Sequence, residues 1–476
     1  MNRLLLCIAM LLTLTNAFQP VQLSPITRGT TLQQTFRSIA LQAASGWINP
    51  STIVPSQINL PPSPIEVFLI RDRLVYVKHD DRLHLPQSNV SGNKARKFYA
   101  LNNIPASAFP DAIVSYGGPQ SNAMVALAAI VSSKNRELDD RNNTQGETDH
   151  DDNLFSELDV IEDDIRLRAE EDEDYIESMT IEDKDFDSMD IGEDELAAQP
   201  KRRFIYYTKP IPRYLKKNPN GNFLRALALG MEIRTLPHDE YSRLFGGMHG
   251  GSSMAPADLD IPVPGKSLWM PQGGACSLAQ PGSDVLATEI VDFWGASGKG
   301  MALAVCLPGG TCTTALLLHR SIQKLLHQSN YKALDIRVVV IPCVGDDEYA
   351  LRQMVQLDKT IGGNGKDMPW ILRPRADIEY GSTRRKQGGY FTFGHPAAAI
   401  LETFDEMNEE GLNLDLIYGA PAFSLLLQHW KVRDDPSCPI SGRQIMYVHS
   451  GGLEGISSQL TRYKHNGLLD NREIMA

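Results

Sequence analysis

The stretch Ala302-Leu303-Ala304-Val305-Cys306-Leu307-Pro308-Gly309-Gly310-Thr311-Cys312-Thr313-Thr314 decides the fold. Ala302 to Leu307 is an unbroken apolar run, as expected of a strand covered on both faces. A Pro-Gly-Gly turn follows, and hydroxyl residues then open a helix expected from Thr313 to Leu326. Strand, glycine turn and helix together form the unit of a parallel sheet with helices on both sides. The alternation recurs outward in both directions. Strands are expected near Ile65, Leu74, Ala112, Arg203, Met231, Ile336, Leu414 and Ile445, with helices beginning near Lys94, Ser121, Phe223, Pro281, Asp347 and Ala397.

The 476 residues are 42% hydrophobic and 22% charged, which excludes a wholly disordered or collagen-like chain. The net charge of −12 is concentrated in one segment. Between Glu137 and Glu195 there are 26 acids against four bases, a local net of −22, so the rest carries about +10. Low apolar content and self-repulsion predict a disordered insertion over residues 137–200, joining the Ser121-to-Ser132 helix to the strand at Arg203. Acidic runs of this kind lack the fixed ligand spacing of a calcium loop. The six cysteines show no CxxC spacing, which argues against a structural zinc site or a disulfide framework.

The amino terminus reads as targeting. Residues 1–17 have a positive start, an apolar run from Leu4 to Leu14 and small residues before a cut, as in a signal peptide. Residues 18–45 begin a hydroxyl-rich, acid-free stretch with Arg28 and Arg37, the composition of a transit peptide. Together they resemble a two-part presequence for plastid import; the alternative is secretion or residence in an endomembrane lumen. No later stretch is long and apolar enough for a membrane helix, and no nucleic-acid partner is expected.

Three elements could carry chemistry, each just after an expected strand or at a helix start, where open α/β sheets bind ligands. Ser91-Gly92-Asn93-Lys94-Ala95-Arg96-Lys97 offers two lysines at helical spacing behind a glycine. A buried lysine there could act as a nucleophile, while a solvated basic helix start is the plainer alternative. Tyr116-Gly117-Gly118-Pro119-Gln120-Ser121-Asn122 makes a site for a carboxylate, or simply a capped helix. Leu307 to Thr314 makes a phosphate cradle, or an ordinary turn. It lacks the Gly-Lys-Ser/Thr of an NTPase loop and the GxGxxG of a dinucleotide fold.

In this order the three elements resemble the fold-type II pyridoxal-phosphate enzymes, and among them the D-cysteine desulfhydrase and 1-aminocyclopropane-1-carboxylate deaminase family. The likeness runs from Leu60 to about Gly455, apart from the acidic insertion, and includes Asn218-Pro219-Asn220-Gly221-Asn222, Met270-Pro271-Gln272-Gly273-Gly274, Leu416-Ile417-Tyr418-Gly419 and Val448-His449-Ser450-Gly451-Gly452. The resemblance implies two open, twisted, mostly parallel sheets with helices on both faces and the cofactor in the cleft between domains. Residues 46–96 and 260–476 would form a large domain and 97–259 a small one. It implies pyridoxal phosphate, a small amino-acid substrate, no metal, and a homodimer.

Residue by residue, the resemblance makes Lys94 the Schiff-base lysine, and Gln120 and Ser121 the holders of the substrate carboxylate. Asn122 would meet the cofactor's phenolic oxygen, and Gly309, Gly310 and Thr311 its phosphate. Tyr418 would be the catalytic tyrosine and Ser450 the neutral partner of the ring nitrogen. Two departures stand out: Gly419 replaces the family's Thr or Glu, and His395 replaces a second tyrosine at the substrate. The implied reaction is β-elimination from D-cysteine to pyruvate, ammonia and sulfide. The alternatives are opening of the aminocyclopropane ring to 2-oxobutanoate, or a pyridoxal-phosphate protein without catalysis.

Overall fold

The computed structural model describes residues 46–53, 55, 59–142, 201–246, 254–375, 389–432 and 435–469. The expected signal peptide, the transit stretch and residues 143–200 of the acidic insertion lie outside these residues.

Parallel strands alternate with helices as the apolar runs predict. β1 (Trp47–Ile48), β4 (Ala112–Tyr116), β5 (Arg203–Thr208), β6 (Met231–Thr235) and β7 (Ser267–Trp269) form a five-stranded, all-parallel sheet in the order β1-β7-β4-β5-β6. β2 (Ile65–Ile70), β3 (Arg73–His79), β8 (Leu303–Gly309), β9 (Ile336–Pro342), β10 (Trp370–Ile371) and β11 (Gln444–His449) form the second, ordered β10-β9-β8-β11-β3-β2. There only β2 runs antiparallel, as a hairpin on β3. This is the expected fold-type II architecture.

The deciding strand, β8, shows why its sequence is continuously apolar. Leu303, Val305 and Leu307 pack into one core with α6 (Gln280–Ser297), α7 (Thr313–Leu326) and α8 (Asp347–Thr360). Ala304 and Cys306 point the other way, against α9 (Ala398–Glu409) and α10 (Gly419–Gln428). Period-2 alternation thus feeds two cores, and no position is left for a polar residue.

Three expectations need correction. Leu414 to Ile417 forms no strand, because the Asp415 side chain captures the amides of Ile417 and Tyr418 and turns the backbone into α10. The expected domain boundaries move: β1 and β7 fall outside 97–259, yet β7 pairs with β4 and carries β1 on its other edge, so both belong to the smaller sheet. Helix α2 (Asn122–Asn142) also runs ten residues beyond Ser132, into what was read as insertion. Glu137 holds that extension by pairing with Lys134 and Arg141 at i,i+3 and i,i+4 spacing.

Helix α1 (Gly92–Asn102) joins the two halves. Ala95, Phe98 and Leu101 pack into the core of the five-stranded sheet. On the same helix Arg96, 1% exposed, reaches Asp80 beyond β3 at 2.7 and 3.0 Å and Glu289 of α6 at 2.8 and 3.0 Å. Burial alone would lower the guanidinium's pKa, but these two carboxylates more than offset it and hold it above its usual value. The same Glu289 pairs with buried Lys78 at 2.5 Å. Removing one partner of such a network strands buried charge. Arg96→Leu should therefore lower unfolding free energy by about 3–5 kcal/mol in urea titrations. Breaking the exposed Arg243–Asp258 pair with Arg243→Ala should cost about 0–1 kcal/mol.

Candidate active site

The lysine element, the Asn122 turn, the glycine loop, Tyr418 and Ser450 come together where β4, β8 and β11 end. Close backbone approach makes this possible. The amide of Asn93 donates to the Ser450 carbonyl at 3.0 Å. Gly92 has φ +64°, and a Cβ there would fall 2.6 Å from the same carbonyl oxygen, so only glycine lets helix α1 start against the end of β11. The Asn93 side chain accepts from the Thr314 hydroxyl at 2.8 Å, tying the lysine element to α7.

Both lysines of the element are placed for chemistry. Lys94 is half-buried overall, its amine makes no hydrogen bond to a described residue, and desolvation pushes it down to about 8 against the pull of Asp415 and Glu454. Lys97 lies deeper, 6% exposed, and donates to the Gly273 carbonyl at 3.1 Å. Burial, reinforced by the neighbouring Lys94, pushes its amine down to about 7. Gly273 also abuts Thr311: a Cβ at Gly273 would stand 3.0 Å from its methyl group. Lys97 therefore sits behind the glycine loop.

The loop itself is shaped for a small charged group. Cys312 takes the left-handed conformation, φ 54°, just before α7, and the hydroxyls of Thr311 and Thr313 lie 2.8 Å apart. Amides in the first turn of a helix have no partner within it and favour anions. A Cβ on Gly310 would lie 3.1–3.2 Å from the ring and hydroxyl of Tyr418, so the tyrosine closes over the loop. Burial raises the Tyr418 phenol well above its ordinary value, keeping it a proton donor at neutral pH.

On the other side, Asn122 opens α2 and its side-chain oxygen accepts from Asn222 at 2.5 Å. Ser121 caps the same helix through Met124, at 3.4 Å. Gln120 is engaged elsewhere. Its oxygen accepts from the Asn222 amide at 2.9 Å and its nitrogen donates to the Asn220 carbonyl at 3.1 Å. It fixes the turn before α4 (Gly221–Ala228), with both of its amide atoms engaged there.

The resemblance places His395 at the substrate. This histidine is exposed, and its ring makes no hydrogen bond to a described residue, while the adjacent Phe393 packs at 5.6 Å from the Tyr418 ring. Sequence reasoning missed both Phe393 and Asp415. Asp415 is 1% exposed, and its carboxylate accepts the amides of Ile417, Tyr418 and Gly419 at 2.9, 2.7 and 2.8 Å. A side chain at Gly452 would meet the Asn122 amide at 3.3 Å and the Asp415 carboxyl carbon at 3.5 Å, which places Asp415 inside the site. An Asp a few residues before a helix start is a capping signal, obscured here by the apolar run that suggested a strand.

No family model matches the chain, and no curated protein matches it. Among solved structures it is similar to an ACC deaminase homologue, with a TM-score of 0.52, 16% identity, and coverage of 88% of this chain and 98% of that one. Threonine deaminase isoform 2 from Solanum lycopersicum scores 0.40 at 10% identity, covering 95% and 94%. A hydrogen sulfide-producing enzyme from Fusobacterium nucleatum scores 0.38 at 10%, covering 85% and 98%. The first of these establishes a shared fold.

The Lys97 amine makes stability depend on pH in a definite direction. Unfolded, it titrates at 10.5; folded, near 7. Below about pH 7 both states hold the proton and the burial cost is present in full. As pH rises toward 10.5 the folded state has already released the proton, and the cost fades. Lys97→Met should therefore raise the urea midpoint most at about pH 6.5, with the advantage largely gone near pH 10.

Proposed function

We propose that this chain is a pyridoxal-phosphate-dependent lyase acting on a small amino acid, with β-elimination from D-cysteine or a close relative as its reaction. The observation that carries this reading is the lysine element itself, tied through Asn93 to the Ser450 carbonyl and to Thr314 just beyond the Gly309-Gly310-Thr311 loop, with a Lys94 amine that makes no hydrogen bond to a described residue. The residues present fit the cofactor. Glycines at 309 and 310 keep Cβ atoms out of the cradle, helix amides suit a phosphate, and Lys94 supplies an amine that is readily neutral and so nucleophilic.

Pyridoxal phosphate, when bound, supplies an electron sink for charge developing at Cα. The protein supplies placement and proton transfer. Ser121 and the first amides of α2 hold the substrate carboxylate, and Lys94 takes the Cα proton. As the Cβ–S bond breaks, its electron pair leaves on sulfur and a Cα–Cβ double bond forms; Tyr418, kept protonated by burial, returns a proton to the leaving group. The released enamine takes up water to give pyruvate and ammonia. Ser450, at the end of β11, offers the ring nitrogen a neutral partner, which suits an elimination in which the leaving group drains the charge. Gly419 supplies no side chain of its own, which favours elimination over opening of a cyclopropane ring.

Purified protein is expected to show an absorption band at roughly 410–430 nm that Lys94→Ala abolishes while Lys97→Met retains it. Sulfide, pyruvate and 2-oxobutanoate are then measured with D-cysteine, L-cysteine and aminocyclopropane carboxylate. Sulfide from D-cysteine supports the proposal, 2-oxobutanoate from the cyclopropane substrate replaces it with ring-opening, and a bound cofactor with no product replaces it with a non-catalytic role.

A further inference from the structure

An asparagine side chain donates at one end and accepts at the other, and a half-turn exchanges the two. Where such a side chain meets a ligand, its surroundings must settle which end is presented. For Asn122, at the start of α2, the orientation is traceable to backbone groups, and Asn222 transmits it.

Asn222 lies in the first turn of α4 and is 8% exposed. Its side chain meets the Gln120 backbone carbonyl at 3.1 Å. A carbonyl only accepts, so the atom of Asn222 that faces it is the amide nitrogen. The same nitrogen lies 2.5 Å from the Asn122 side chain, so the end of Asn122 turned to it is the oxygen. The nitrogen of Asn122 is left on the far side, where it donates to no described residue. A Cβ on Gly452 would come within 3.3 Å of it, and within 3.5 Å of the Asp415 carboxyl carbon. The donor end of Asn122 therefore points at the turn just past Ser450.

Backbone groups hold the rest of the chain of contacts as well. The Asn222 amide donates to Gln120 Oε1 at 2.9 Å, while Gln120 Nε2 donates to the Asn220 carbonyl at 3.1 Å. Gly221, with φ +55°, leaves room for this, since a Cβ there would lie 3.0 Å from Gln120 Oε1. Released from Asn222, Asn122 would be free to turn its oxygen onto the open amides of its own helix, as asparagine does at helix starts.

We propose that Asn222 is a positioning residue of this site: it holds the Asn122 amide so that a donor, and not an acceptor, meets the ligand. The ligand group that this selects is an ionised oxygen. Apart from its phosphate, pyridoxal phosphate has one such group, the phenolic oxygen. The proposal rests on the pyridoxal-phosphate reading for the identity of that oxygen, and on the chain alone for the orientation of Asn122.

The test compares the binding of pyridoxal phosphate and of its analogue lacking the 3-hydroxyl to the full-length protein, by equilibrium dialysis. Asn222→Leu keeps the branched shape and removes the donors without adding charge. It should weaken binding of the natural cofactor about tenfold, the worth of one hydrogen bond to a charged group, and of the analogue less than about twofold. Asn122→Ala should show the same selective loss, and adding Asn222→Leu to it should deepen that loss no further. A folded Asn222→Leu protein, by circular dichroism, that loses both ligands equally or neither overturns the proposal, as does further selective loss in the Asn122→Ala background. If Asn222→Leu does not fold, neutron diffraction from the deuterium-exchanged, unaltered protein decides. Deuterons on the Asn122 atom facing Gly452 support the proposal, and deuterons on the atom facing Asn222 overturn it. The reading of function fails separately: an unaltered chain that binds neither ligand refutes pyridoxal phosphate, and the neutron result then decides the orientation by itself.

Discussion

The site depends on how helix α1 is held. Its two lysines are useful only if the helix stays fixed while carrying buried amines, and Arg96 between them provides the restraint. The guanidinium is forked onto Asp80 and Glu289, its Nη2 bonding both carboxylates, so rotation or sliding of α1 would break charge-assisted bonds in a dry interior. Phe98 and Leu101 anchor the other face in the five-stranded sheet's core. One helix thus ties the core of the five-stranded sheet to Asp80 beyond β3 and to Glu289 of α6.

The polar contacts around that helix share a logic. Each loop is fixed by a neighbour from a different part of the chain: Asn93 by Ser450 and Thr314, Gln120 and Asn122 by Asn222, Gly310 by Tyr418. Side chains that could meet a ligand are set in position by side chains that do not. Asp415 and His449 do this for the turn before α10, and Gln120 does it for the turn before α4. Preorganisation of this kind lets a site be polar without being loose.

Much of this was legible in the sequence, for identifiable reasons. Apolar runs such as Ala302 to Leu307 announce strands buried on both faces, and Gly-Gly before hydroxyls announces a helix start. The residues around Lys94, Asn122, Gly310, Tyr418 and Ser450 do converge. What was illegible depended on partners far away. Ser267 to Trp269 is too short to declare itself a strand until β4 pairs with it. Leu414 to Ile417 has a strand's composition, but the Asp415 side chain takes the amides a ladder would need. The bonds of Gln120 to Asn220 and Asn222, a hundred residues on, were not legible from its own turn. Phe393 gains its role by lying against Tyr418, a proximity that no local pattern encodes.

The position of β11 also dictates when the site can exist during synthesis. It is the last described strand in sequence, yet it lies between β3 and β8, pairing with both. Until residues 444–449 emerge, β3 and β8 each present an open, apolar edge, the kind of surface that invites pairing with another chain. Closing that gap joins segments more than 360 residues apart, a slow, non-local step. The same step delivers Ser450 to Asn93 and sets His449 under the Asp415 turn, so a half-made chain has neither a seated lysine nor a place for a ligand. The lysine element is thereby fixed only after residues 444–450 have been made.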